Sequence, residues 1–217
     1  MVLFNMEKIL FVRPAHDDVT SYLFYYSKQL LKEAELKGFK VLNKEKEKAN
    51  FKVITEIIET INPRFIMFNG HGNSRTICGH KDEALIVLDK NHRLLEKKMI
   101  YSLSCSSAAE LGKGVANEET TFIGYVDEFA LGMDGQSQTT IQRDERAKLF
   151  LEPSNSLVQS LLKGNSAHEA VKKAKELMKQ NISKLRTDPF PDAKDYLPYL
   201  FNNYAVLEVL GNKEAKI

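Results

Sequence analysis

The stretch Phe65-Ile66-Met67-Phe68-Asn69-Gly70-His71-Gly72-Asn73 decides how this chain is read. Its first four residues are a short, uninterrupted apolar run, the pattern of a strand buried on both faces of a sheet. The run passes directly into a Gly-His-Gly turn, so a titratable side chain stands at the strand's carboxyl end. The pattern recurs on either side. Lys8-Ile9-Leu10-Phe11-Val12 ends at Arg13-Pro14, Phe39 to Leu42 reads as a second strand, Met99 to Ser104 ends at Cys105, and Thr121 to Tyr125 ends at Val126-Asp127-Glu128. Between the first strands lie two helical periods. One carries Val19, Tyr22, Leu23, Tyr26 and Leu30 from a cap at Asp17 or Asp18 to a stop at Gly38. The other carries Phe51, Ile54, Ile57, Ile58 and Ile61, follows the solvated run Lys44 to Lys48, and is closed by Pro63. Strands alternating with helices predict an α/β fold with a mainly parallel sheet of about six strands, flanked by helices. In such sheets the site lies beyond the carboxyl ends of the strands.

The remaining elements are expected as follows. Ala84 to Leu88 is one arm of a small excursion paired with Thr76-Ile77-Cys78, and Ser106 to Leu111 is a short helix broken by Gly112 and Gly114. A loop holds Gly132, Gly135, Gln136, Ser137 and Gln138. Pro153 interrupts the helical part beyond it, and Ser166 with Glu169 forms a capping box for a long amphipathic helix. Three of the six prolines fall in residues 189–198 and predict an extended connection, after which Tyr204 to Leu210 is a last strand. We expect a single domain over 1–217, with a core at 8–130 and a helical and final-strand portion at 140–212.

Composition narrows the class. The chain has 217 residues, with 31 Lys+Arg against 29 Asp+Glu for a formal charge of +2, 43% hydrophobic residues, and two cysteines. No apolar stretch approaches the roughly 18 residues of a membrane span, and two cysteines cannot staple a fold of this size. The near-neutral balance without a basic block argues against nucleic acid as the main partner. Met1 to Glu7 lacks the basic and apolar regions of a signal peptide, so a cytoplasmic location is expected, with no membrane partner.

The strand ends carry the chemistry. His71 lies between two glycines and Cys105 opens the segment after its own strand, 34 residues on. A cysteine is nucleophilic as thiolate, and a helix N-terminus with a nearby imidazole lowers its pKa. A backbone N–H at Gly72 and that of Cys105 would together form an oxyanion hole. A buried small Cys and a simple Gly-His-Gly turn are the plain alternatives for each residue taken singly. Their joint placement at strand ends of one sheet favours a His71–Cys105 dyad.

These residues also carry a resemblance. Phe68-Asn69-Gly70-His71-Gly72, followed by Tyr101-Ser102-Leu103-Ser104-Cys105-Ser106-Ser107-Ala108-Ala109, is similar to the His-Gly and Cys motifs of the caspase-like cysteine peptidases. That clan includes caspases, clostripain, gingipains, separase and the bacterial CHAT domains, and Thr121-Phe122-Ile123-Gly124-Tyr125 resembles the Gly-rich strand of the CHAT and gingipain-like group. The resemblance spans residues 8 to about 130 and implies a caspase-like three-layer sandwich. It implies that Cys105 attacks a peptide carbonyl, that His71 protonates the leaving amine, that Gly72 and Cys105 supply the oxyanion hole, and that no third catalytic member or cofactor is required. It implies a protein or peptide substrate and leaves regulation by a protein partner open. An acidic residue after the strand that follows the nucleophile receives a basic P1 side chain in some relatives, and Asp127 and Glu128 stand there. Leu103 stands where clostripain and metacaspases have an Asp. Asp17 is a further candidate for the substrate pocket, against a plainer role as helix cap.

Cys78-x-His80 invites a metal, but a zinc site wants four convergent ligands and the rest would be the dyad itself, so none is expected. His16 lies near the predicted mouth and reads as a surface or capping residue; His92 and His168 read as solvent-facing. Arg143 and Arg146 flank the long loop and would suit self-cleavage after a basic residue. The competing reading is a catalytically silent caspase-like interaction module. A nucleotide-binding domain is disfavoured by Arg13-Pro14-Ala15-His16 in place of a Gly-rich loop, and a nucleophile-elbow hydrolase by the absence of Gly-x-Ser-x-Gly.

Overall fold

Side chains alternate along each strand, and the alternation builds the layers. In β1 (Lys8–Arg13), Ile9 and Phe11 enter one core while Leu10 and Val12 enter the other. β3 (Phe65–Asn69) repeats this with Phe65 and Met67 against Ile66 and Phe68. β7 (Met99–Leu103) and β8 (Thr121–Tyr125) follow, both buried at every position. The computed structural model describes residues 6–134, 141–187 and 190–217. The expectations for Met1 to Asn5, for Gly135, Gln136, Ser137 and Gln138, and for Pro189 lie outside the described residues.

With β2 (Lys40–Glu45) and β9 (Leu207–Leu210), these strands form a six-stranded sheet in the order β2-β1-β3-β7-β8-β9. Every pairing is parallel except that of β9 with β8. α1 (Asp18–Leu36), α4 (Glu145–Leu162) and α5 (Ala167–Arg186) supply the core on one face. On the other lie α2 (Phe51–Ile61), α3 (Leu111–Val115) and a small antiparallel sheet of β4 (Gly72–Asn73), β5 (Thr76–Cys78) and β6 (Ala84–Val87). This is the expected α/β three-layer sandwich. No helix among the described residues is long and apolar enough to cross a membrane.

Five local expectations are corrected. Residues 105–110 form turns rather than a helix, and the helix is Leu111–Val115, with Gly112 and Gly114 inside it. Pro153 sits within α4 without ending it. The proline-rich segment leads into α6 (Leu197–Val206), which has Pro198 in its first turn, where a missing N–H costs nothing. α6 takes Tyr204 to Val206 away from the last strand. Lys44 and Glu45 belong to β2 rather than to a solvated loop. Glu45 there meets Arg13, whose side chain is 1% exposed and also donates to Ser27 Oγ at 2.8 Å and to the Phe24 carbonyl. Burial lowers that guanidinium to about 10 against the opposing pull of Glu45. The network ties the carboxyl end of β1 to α1 and β2, and so fixes where the chain turns toward Asp17.

Candidate active site

β1, β3, β7 and β8 are neighbours and parallel, so their carboxyl ends open along one edge of the sheet. The register is specific. Asn69 faces Leu103 and Tyr101 faces Ile123, so the same steps carried past the strand ends align His71 with Cys105 and Cys105 with Asp127. Contacts at those ends agree: Gly70 N–H donates to the Leu103 carbonyl at 3.3 Å, and Ser106 N–H donates to the Asp127 carbonyl at 2.9 Å. Gly72 lies so close to the chain leading to Cys105 that a Cβ there would sit 2.7 Å from the Thr76 carbonyl and 3.1 Å from Ser104 Cβ. Only glycine lets the His-Gly turn reach the residue preceding Cys105.

The His71 imidazole is held from the end of β1. Its Nε2 lies 2.6 Å from Asp17 Oδ2. The other oxygen of Asp17 caps α1, accepting from Thr20 N at 2.7 Å and from Thr20 Oγ1 at 2.7 Å in a capping box. Burial pulls the Asp17 carboxyl upward, but the Thr20 and His71 hydrogen bonds outweigh it and hold the group at about 2. Asp17 is therefore ionised at neutral pH, and Nε2 is the ring nitrogen that carries hydrogen toward it. Nδ1 is left to exchange protons. The helix-cap reading of Asp17 and its candidacy for the site are met by different oxygens of one carboxylate. Its direct bond to the histidine was not foreseen: the cap was legible in Asp17 and Thr20, whereas a contact across 54 residues has no local signature.

Cys105 follows β7 in a turn, half-buried, with its thiol donating to the Phe129 carbonyl at 3.6 Å. The expected helix N-terminus is not there to lower its pKa. Burial pushes the thiol up, and Glu128 and Asp127 push it further in the same direction. Both acidic side chains are exposed on the loop after β8, and Asp127 Oδ1 accepts from the Glu128 N–H at 2.8 Å.

That loop rests on α6, which sequence reading had missed. Val126 N–H donates to the Val206 carbonyl, Asn202 Nδ2 donates to the Glu128 carbonyl, and Asn203 pairs with Ala130 in both directions at 2.9 and 2.7 Å. Asn203 is fully buried, and Phe129 stacks at 4.9 Å from Tyr125. Residues 126–134 thus have a defined path, and the acceptor of the Cys105 thiol is set by a helix near the chain's end. Of the two arginines named for self-cleavage, Arg146 is occupied: Asp192 accepts from it at 2.6 and 3.1 Å, Asp134 is an ion-pair partner, and Phe190 lies beneath the guanidinium. Arg143 is exposed. Cys78 and His80 do not form the metal-like group among the described residues; that group is His16, His71 and Asp82.

The chain matches no protein-family model, and no curated protein sequence matches it significantly. A solved structure does. The Arg-specific cysteine proteinase gingipain R superimposes with a TM-score of 0.65 over 98% of this chain, at 10% sequence identity. The match takes in 49% of the gingipain chain, so this protein spans about half the length of that relative. At such an identity the likeness is one of fold. The six-stranded, mainly parallel sheet flanked by helices is the caspase-like architecture seen in that cysteine proteinase.

Proposed function

We propose that this chain is a cysteine peptidase in which Cys105 is the nucleophile, His71 the general base and acid, and Asp17 the carboxylate that orients His71. Within the caspase-like clan, the resemblance of its His-Gly, Cys and Gly-rich strand motifs supports the CHAT and gingipain-like group. The observation that carries the reading is the 2.6 Å His71–Asp17 bond at the end of β3, with Cys105 at the end of the adjacent strand in a fold shared with a cysteine proteinase. In the resting state the thiol is neutral. When a peptide binds, His71 takes the thiol proton and the sulfur attacks the carbonyl carbon. The resulting oxyanion accepts from the N–H groups of Gly72 and Cys105. Collapse of the tetrahedral intermediate breaks the C–N bond, and the imidazolium gives its proton to the leaving amine. Water, deprotonated by His71, then hydrolyses the thioester and restores the thiol. Asp17 stabilises each imidazolium that forms.

The substrate in this reading is a protein cut after Arg or Lys. Asp127 and Glu128 supply the carboxylates for a charge-assisted bond to a basic P1 side chain, and the structural neighbour is itself named as Arg-specific. The same two groups push the Cys105 thiol up, so a cation docking on them would ease its ionisation. Selectivity and activation then share one device. A silent module of this fold would also carry a protonated thiol, and labelling separates the two. An irreversible Arg-directed thiol probe should label the chain at Cys105 and leave Cys105→Ala unlabelled, ahead of Lys- and Asp-directed probes. Labelling that survives Cys105→Ala, or no labelling by any probe, refutes the assignment.

A further inference from the structure

A second set of donors meets where Asp17 contacts His71. His16, one residue before Asp17, has a side chain only 10% exposed. Its Nε2 lies 3.3 Å from Asp82 Oδ1 and 3.6 Å from Asp17 Oδ2. Its buried Nδ1 has no hydrogen-bond partner among the described residues. The His16 and His71 rings stand 6.0 Å apart, edge to face, and one donor atom from each of His16, His71 and Asp82 lies within 4.8 Å of the others. Asp82 is brought there by a turn, His80–Asp82, in which both Lys81 and Asp82 hold left-handed backbone, with φ of 54° and 58°. Such a conformation is costly for residues other than glycine.

From this placement we infer that His16, His71 and Asp82, with Asp17 beside them, form a site for a divalent ion of the zinc class. Occupancy of this site and turnover at Cys105 exclude each other. Two imidazoles and a carboxylate match zinc and its neighbours rather than calcium or magnesium, which take oxygen donors. Tetrahedral zinc with bonds of about 2.0–2.1 Å holds its donors about 3.3 Å apart. Side-chain adjustments of the order of 1 Å, on exposed Asp82 above all, close the group from its present spacing. Asp17 and Asp82 bring two carboxylates to the site, which balance the ion's charge on binding.

The exclusion follows from the ring, and this half of the proposal rests on His71 being the general base. A metal on Nε2 takes the lone pair on that side and leaves hydrogen on Nδ1. The imidazole then has no lone pair with which to accept the Cys105 proton, and Asp17 is drawn away from Nε2. The cluster was not reached from the sequence because Cys78 and His80 were the residues considered there.

The test uses the full chain stripped with a chelator and titrated with Zn²⁺ against a chromophoric competitor, alongside Co²⁺ spectra. One equivalent should bind, with visible cobalt bands and no thiolate-to-cobalt charge-transfer band. Binding should weaken by about tenfold to a hundredfold in His16→Gln and in Asp82→Asn, and stay unchanged in Cys78→Ala. Circular dichroism melts check that each variant is folded. Zn²⁺ should also slow alkylation of Cys105 by iodoacetamide, with recovery on chelation. Absence of stoichiometric binding, binding indifferent to both the His16 and Asp82 variants, or a thiolate band overturns the site. Alkylation untouched by a bound ion overturns the exclusion. These readouts need no turnover. A chain that binds zinc as described but hydrolyses nothing refutes the peptidase reading alone, and one that hydrolyses but binds no ion refutes the site alone.

Discussion

Replacing Asp17 by Asn and by Ala separates the two duties of this carboxylate. The group is held at about 2 against its ordinary 3.8, a difference worth about 2.5 kcal/mol at 1.36 kcal/mol per decade. The side chain is 38% exposed, and solvent screening reduces that to about 1 kcal/mol. Asn retains an oxygen for the Thr20 N–H and is as good a cap as Asp, so Asp17→Asn should lose only the ionic part, about 1 kcal/mol or less. Asp17→Ala loses the cap as well, a further ~1 kcal/mol. The sign with pH is fixed: a depressed carboxyl contributes stability that is fully present above its unfolded value and is lost as pH falls toward its folded one. The stability difference between wild type and Asp17→Asn should respond to the titration of this carboxyl at acid pH. It should close as pH falls from 3.8 toward about 2, read from urea midpoints.

Catalysis should divide differently. Both variants remove the negative charge facing the imidazolium, so both should lower kcat by about 5- to 30-fold, the equivalent of roughly 1–2 kcal/mol. KM should change little, because Asp17 acts through His71 in this mechanism. The kcat values of the two variants should thus lie close together while their stabilities differ. A loss of stability in Asp17→Ala with kcat within about twofold of wild type in both variants would show that Asp17 is a helix cap and nothing more.

Asn203→Ala should destabilise the chain by about 1–3 kcal/mol, because it removes a buried amide and strands the part-buried N–H and carbonyl of Ala130; it should also alter the alkylation rate of Cys105, since the loop bearing the Phe129 carbonyl loosens. An unchanged urea midpoint would remove α6 from the account of the site. In Asp127→Asn/Glu128→Gln, the pH profile of Cys105 alkylation should move to lower pH and the preference for an Arg-directed over a neutral probe should fall; an unaltered preference means the basic pocket lies elsewhere. Gly72→Ala should cost about 1–3 kcal/mol through overpacking against the Thr76 carbonyl and Ser104 and abolish probe labelling, and labelling at the wild-type rate would exclude the Gly72 amide from the oxyanion hole.

What was legible in the chain follows from how local the cause was. The four buried parallel strands announce themselves as apolar runs, since both faces of each are covered. Their order in sequence suffices to set His71 and Cys105 at neighbouring ends. The segment after Cys105 was not legible. Ser106 to Ala109 has unremarkable helical propensity, yet Ser106 adopts a φ of 54°; its amide is taken by Asp127 in the loop after β8, and that of Ala108 by Tyr125 at the end of β8. Tertiary hydrogen bonds from residues about 20 positions away override local preference there. α6 was hidden for another reason: Tyr204 to Leu210 is apolar but for Glu208, and the break between helix and strand inside it is set by the pairing of Leu207 with Tyr125. His16 was read from its own surroundings as a capping residue, and its partner Asp82 comes from a turn 66 residues away.

The raised thiol bears on how such an enzyme would be restrained. A nucleophile already ionised at rest is open to alkylation and oxidation in proportion to its thiolate fraction. Here burial and two flanking carboxylates push the thiol up, and the orienting carboxylate of Asp17 meets Nε2 of the imidazole. Cys105 and His71 therefore need not form a standing ion pair. In the proposed mechanism they act as acid and base only when a ligand changes the field around the sulfur. In the proposed reading, a peptide with a cationic P1 side chain supplies that change at Asp127 and Glu128, while a neutral or acidic peptide leaves it unmade. On this argument discrimination against non-basic substrates should appear in the acylation rate as well as in binding. Single-turnover acylation of paired Arg and norleucine substrates at saturation should therefore differ. Equal acylation rates with unequal affinities would mean that the carboxylates only bind, and that the thiol is activated by His71 alone.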